Sequence, residues 1–127
     1  MPKVSKETAT GGGDYGPVTD RSDELEGGYT VNFVAFHEDI DATPLLKGLP
    51  EDRCQCPHWG YVIKGRITMR FGAREEIYEA GDAFYHPPGH IPVKHEPGTE
   101  IVQFSPTEQL RETEAVMQQN MEAMQAS

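Results

Sequence analysis

The stretch "RCQCPHWGYVIKG", Arg53 to Gly65, concentrates the groups that could do chemistry. It holds both cysteines, one of the five histidines and the only tryptophan. Cys54, Cys56 and His58 fall at alternate positions, so an extended backbone would turn all three to one side. Two thiolates and an imidazole are borderline-soft donors that suit Zn²⁺ or a similar late transition metal. A second reading stays open, in which the cysteines are small buried apolar residues. A Cys54–Cys56 disulfide would close a strained ring and is not expected. Pro57 also disturbs strict alternation.

His58 shares its parity with Gly60 and Val62, while Trp59, Tyr61 and Ile63 face the other way. An imidazole titrates near neutral pH and also ligates metals, so His58 is the first candidate for a catalytic group. His90 follows Gly89 directly and can reach from a turn. His86 ends "AFYH", in phase with Phe84. His95 is out of phase with His90, and His37 lies on an apolar face, where a satisfied structural histidine is expected. Lys64, Arg66 and Arg70 cluster near one turn, with Thr68 in phase with the arginines. The plain reading is a solvated face balancing nearby acids. The sharper one is a pocket for a carboxylate.

These residues sit among regular punctuation. Turn signals fall at Lys64-Gly65, Gly72-Ala73, Ala80-Gly81, Pro88-Gly89 and Pro97-Gly98. Between them lie "HWGYVI", "RITMRF", "EEIYEA", "AFYH", "IPVKHE" and "EIVQFS". Short strands at that spacing predict an antiparallel sandwich or barrel. "YTVNFVAFH" opens the body as a well-buried strand, and a short helical turn is expected around "ATPLLKGL". Residues 1–27 are polar and turn-rich and read as a flexible arm. After Ser105-Pro106-Thr107-Glu108, which reads as a cap and first turn, the period changes. Leu110, Glu114, Met117, Met121 and Met124 then recur at three- and four-residue steps. One terminal helix over 106–127 is expected, its stripe packed on the barrel or on a second subunit.

The chain has 127 residues, room for one core. A formal net charge of −10 without a basic block argues against nucleic acid as a partner. No apolar run reaches the roughly 18 residues of a membrane span, so no membrane partner is expected. The N-terminus lacks an apolar signal core, so a cytoplasmic location is expected. No P-loop, "G-x-G-x-x-G" or "G-x-S-x-G" is present.

Two passages resemble the cupin family. Gly81, five residues, then Pro87-Pro88-Gly89 reproduce its second motif, and "YVIKG" ending at Gly65 resembles the close of its first. The resemblance covers about residues 28–105 and implies an all-β fold: an antiparallel β-barrel (double-stranded β-helix) with a pocket between two sheets, here followed by the C-terminal helix. Many members hold a metal through two His, a Glu and a third His. At those positions this chain has Cys54 and Asp52 for the paired His, His58 for the Glu and Pro92 for the last His. The resemblance implies that the His58 face looks into the pocket, which makes His86, His90, Val62 and Gly60 its candidate lining. Candidate metal ligands are His58, His90, Cys54 and Cys56, for a divalent transition metal such as Zn, Ni, Fe or Mn. A metal-free pocket is the alternative.

Three functions follow as expectations. The first is binding of a small organic molecule in the barrel, with an atypical metal and lyase-, isomerase- or oxygenase-type chemistry at His58. The second is a non-catalytic binding or sensing module. The third is a mainly structural dimerisation module, and a homodimer is expected alongside any of the three.

Overall fold

A computed structural model of the chain describes residues 3–126. Nine strands run in the order β1 (Gly11–Asp14), β2 (Val18–Leu25), β3 (Tyr29–Phe36), β4 (His58–Lys64), β5 (Arg66–Phe71), β6 (Arg74–Glu79), β7 (Ala83–His86), β8 (His90–His95) and β9 (Thr99–Pro106). A helix, α1, follows over Thr107–Ala126. From β3 onward the strands begin and end within a residue or so of the expected ones. The turns explain the match: Gly65, Gly72, Gly81, Gly89 and Gly98 all have positive φ, which glycine adopts without the Cβ penalty.

Six strands form one antiparallel sheet in the order β1-β2-β3-β9-β4-β7, and three form a second in the order β6-β5-β8. The inner face of the large sheet is read from its register. Thr30, Ser105, His58 and His86 make one row, and Asn32, Gln103, Gly60 and Phe84 the next. Val62, Ile67, Met69, Phe84 and Ile101 fill the space between the sheets. Burying each such side chain contributes about 1.5–3 kcal/mol. A second apolar cluster, Leu46, Cys54, Cys56 and Leu110, lies under α1 with Leu49, Ile91 and Met117 against it. The short turn expected around residues 42–49 is present as a 3-10 turn at Thr43–Leu46, and Leu46 joins this second cluster.

The N-terminal residues depart from the expected arm. Val18–Leu25 pairs with β3 along its whole length, and Gly11–Asp14 pairs with β2 in turn. The anchors are polar. Asn32 donates to both carboxylate oxygens of Asp20 at 3.1 Å, Thr10 donates to Asp23, and Arg21 donates to the Ala9 carbonyl. Strands held by backbone pairing and such contacts carry no apolar period to read.

The helix start also differs. Ser105 and Pro106 belong to β9, and Thr107 opens the helix with its N–H donating to the Gly28 carbonyl. Its buried side is centred on Leu110 and Thr113. Met117 packs against the cysteine cluster, Met124 is exposed, and so only part of the methionine stripe meets the barrel.

Candidate metal centre

One end of the barrel gathers four chemistry-bearing side chains. His58 opens β4, His86 closes β7 and is its register partner, and His90 opens β8. Cys54 is carried to the same place by a backbone bridge. Its N–H donates to the His90 carbonyl at 3.1 Å, and its own carbonyl accepts from Gly89 at 2.8 Å. The tight Pro87-Pro88-Gly89 turn makes this possible, because Gly89 sits at φ 93°.

Cys54, His58 and His90 each offer a ligand atom such that all three lie within 4.8 Å of one another. Cys54 Sγ is 3.7 Å from His58 Nε2. All three residues are buried, His90 to 2% exposure. His90 Nδ1 donates to the Pro87 carbonyl at 2.7 Å, which leaves Nε2 as the nitrogen with a free lone pair. His58 Nδ1 meets the Ser105 hydroxyl at 2.6 Å, leaving Nε2 toward Cys54. Partners of this kind fix ring orientation and tautomer for metal-ligating histidines.

Burial and the nearby His90 push His58 down to about 3, and burial with His90 and His58 pushes His86 down to about 2. Burial lowers His90 as well. The imidazoles are therefore neutral at neutral pH, the form that ligates metals. Burial raises the Cys54 thiol, against hydrogen bonds from the Cys56 backbone and the Thr113 hydroxyl of α1.

His86 stands beside this triangle. Its ring centroid is 5.1 Å from that of His90 and 5.9 Å from that of His58, and it stacks on Phe84 at 4.2 Å. It is 2% exposed, and its Nδ1 has no hydrogen-bond partner. A buried unpaired ring nitrogen costs about 1–3 kcal/mol, so an unmet donor or ion beside it fits the site.

Cys56 does not join the three. It is buried in the second apolar cluster and hydrogen-bonds to Ser105 and to the Pro57 carbonyl. Burial, with Cys54 and Glu114 nearby, pushes its thiol up to about 12. Both thiols are free. The chain bends at Cys56 itself, which takes this residue out of the extended alternation that would have aimed it with Cys54. Asp52, at a family ligand position, instead accepts from the Gly48 N–H.

Two candidate pocket residues are enclosed. Val62 is fully buried in the core between the sheets. A Cβ on Gly60 would lie 2.4 Å from Phe84 Cζ and 2.4 Å from the Val102 carbonyl oxygen. The room expected beside Gly60 is filled by the Phe84 ring. His95 is a structural histidine, stacked on Phe36 at 4.1 Å and donating to the Ile40 carbonyl at 2.7 Å. His37 sits at an exposed strand end against Thr19. Lys64, Arg66 and Arg70 pair with Glu100, Glu79 and Glu75 on an exposed face.

Sequence reasoning missed Ser105 and Thr113. Ser105 has the sequence setting of a helix cap, and its contact with His58 follows from the β4–β9 register, which no local pattern encodes. Thr113 has the three-residue spacing from Leu110 that marks one helix face, a signal the methionine stripe hides.

No protein-family model and no curated protein sequence matches the chain. Solved structures do. KdgF from Halomonas sp. aligns over 76% of this chain and 86% of its own, at 20% identity and a TM-score of 0.54. An RmlC-like cupin from Shewanella frigidimarina aligns over 81% and 88%, at 18% identity and 0.56. The EutQ protein of Clostridium difficile aligns over 83% and 74%, at 14% identity and 0.53. At such identities the likeness is one of fold, and the fold is that of the cupins. No helix among the described residues is long and apolar enough to cross a membrane.

Proposed function

We propose that this cupin domain binds one divalent transition metal through Cys54, His58 and His90 and uses it on a small organic molecule. The convergence of these three buried donors within 4.8 Å carries the reading. One sulfur and two imidazoles are a donor set that suits zinc, and three protein ligands leave a position for substrate or water, as in catalytic sites. Such a metal supplies Lewis-acid polarisation of a carbonyl or hydroxyl oxygen. The chain's own residues do the rest. Ser105 and the Pro87 carbonyl hold the two ligand rings. α1 and the Leu46 turn keep bulk water from the cysteine side. Polar rearrangements of the lyase or isomerase kind fit this arrangement better than oxygenase chemistry, which uses the His/carboxylate set that is missing here.

Metal content tests it. Protein purified without a histidine tag and titrated with zinc against a chromophoric chelator is expected to bind one ion per chain. Uptake below about a tenth of an ion, at a pH where the thiol can ionise, would leave the non-catalytic binding module as the reading.

A second copy of the chain fits the outer face of the large sheet. Trp59, Tyr61, Ile63, Tyr85 and Phe104 are each 39–48% exposed there, and Trp59 lies 5.1 Å from Tyr85. A patch of exposed aromatic side chains on neighbouring strands marks an interaction surface. Light scattering is expected to return twice the 14.1 kDa of one chain, and Trp59→Arg to return the single mass. A monomer in the unmodified protein would remove the homodimer.

A further inference from the structure

A second site lies at the same barrel end, across the Cys54–His90 bridge from the metal ligands. A cavity of about 350 Å³ opens between the residues after Leu49, the β5–β6 turn and the Pro87-Pro88-Gly89 turn. Arg53, Phe71, Arg74 and Pro88 are among its walls. Arg53 and Arg74 come from different segments of a chain whose net charge is −10, and both line one hollow.

Each guanidinium is only loosely paired. Arg53 is 3.7 Å from Glu51 and Arg74 is 3.6 Å from Glu76, and neither donates a hydrogen bond within the described residues. Charge-assisted pairs of this type close to about 2.7–2.9 Å when they are satisfied. Arg74 lies over the Phe71 ring, 5.7 Å from its centroid, which places its fork at the mouth of the cavity. Prolines 50, 87 and 88 fix much of the surrounding backbone.

The backbone adds an independent sign. Glu51 and Asp52 are consecutive non-glycine residues at φ 57° and 56°. Two such residues in the left-handed region persist only where their surroundings enforce it, and they cluster at ligand clamps. Here Asp52 Oδ1 accepts from the Gly48 N–H at 2.9 Å, and Gln55 Nε2 donates to the Pro50 carbonyl at 2.9 Å. The strained loop presents the Glu51 carboxylate to Arg53, where it is loosely held and exposed.

We infer that this cavity is a binding site for a small carboxylate, with the carboxylate between Arg53 and Arg74 and its carbon chain against Phe71 and Pro88. Glu51 is the internal stand-in: its own carboxylate occupies the Arg53 side until a ligand displaces it. The inference uses none of the metal ligands and does not rest on the metal reading.

The test is an NMR titration of ¹⁵N-labelled, chelator-treated full-length chain at constant ionic strength. The probes are butyrate, its neutral analogue butyramide, and inorganic phosphate. Butyrate is expected to give saturable shifts at the Gly89 N–H and at the Nε–H of Arg53 and Arg74, and butyramide none. Arg53→Gln and Arg74→Gln are each expected to weaken butyrate about tenfold, the loss of one charge-assisted pair. Glu51→Gln is expected to strengthen it, a gain that no folding defect can imitate. Equal saturation by butyramide would overturn the site. So would saturation by phosphate alone, an absence of saturable shifts, or arginine variants that bind like the parent.

Discussion

Cys54→Ser is expected to weaken zinc binding several-hundred-fold, and Cys56→Ser by less than about tenfold, the low end for an outer partner. The two cysteines are chemically alike and two residues apart, so only geometry separates them. Cys54 Sγ lies 3.7 Å from His58 Nε2 within the three-donor cluster, whereas Cys56 Sγ turns to the Pro57 carbonyl and Ser105. Structural zinc sites are worth about 10–16 kcal/mol over four ligands, so one ligand is worth about 2.5–4 kcal/mol, on the order of a hundred- to a thousand-fold in affinity. Cys56 acts at most through Ser105 on the far nitrogen of His58. Chelator competition measures both affinities. Cobalt substitution identifies the ligand: the sulfur-to-cobalt charge-transfer band should vanish in Cys54→Ser and persist in Cys56→Ser. The reverse pattern would move the ligand two residues downstream. Equal losses in both variants would point to a general disturbance of the cluster under α1.

The residue types of this centre are legible in the sequence, and their assembly is not. His58 is found by counting back from Gly65, and His90 by its place after the Pro-Pro-Gly turn. Both counts work because a turn built on a positive-φ glycine fixes where a strand starts. Cys54 is harder. It reaches the site through a single backbone bridge to His90, a contact 36 positions distant that has no periodic signature. Ser105 is harder still, because its hydroxyl could cap a helix or face a strand partner equally well. The structure chooses the strand, since β9 runs two residues further than a capped helix would allow.

The fold shows the same division. From β3 onward, alternating apolar residues between glycine turns give each strand a face and an end. β2 reads "VTDRSDEL", with Asp20 against Asn32 and Arg21 against a carbonyl, so its pairing lies in hydrogen bonds that hydropathy does not record. Gly60 misleads in a different way. A glycine on the pocket face suggests space, but that space depends on what stands opposite. Here it is Phe84, in register across β7, whose ring lies where a Cβ would fall.

The buried imidazoles beside Phe84 carry the second large effect: the metal-free protein is expected to lose about 4 kcal/mol of stability between pH 7 and pH 5. His58 is held down to about 3 and His86 to about 2 in the fold, against 6.5 for an unperturbed imidazole. Burial is the main cause in both, with neighbouring imidazoles adding to it. Between those limits the unfolded chain binds the extra proton and the folded chain does not. The stabilisation is therefore complete above about pH 6.5 and is lost as pH falls toward the folded values. Each group costs about 1.4 kcal/mol per pH unit once below its unfolded value, so the pair removes about 4 kcal/mol by pH 5. His90 and His95, also lowered by burial, steepen the fall. Asp20 and Glu114, raised by burial, act in the opposite sense and soften its acid end. Urea midpoints of chelator-treated protein across this range measure the slope. His86→Phe keeps an aromatic ring on Phe84 and removes one titrating group, so its slope should be shallower by about one proton. A parent midpoint that stays level from pH 7 to pH 5 would mean that His58 and His86 take up protons in the folded state, and that this barrel end is wet rather than closed.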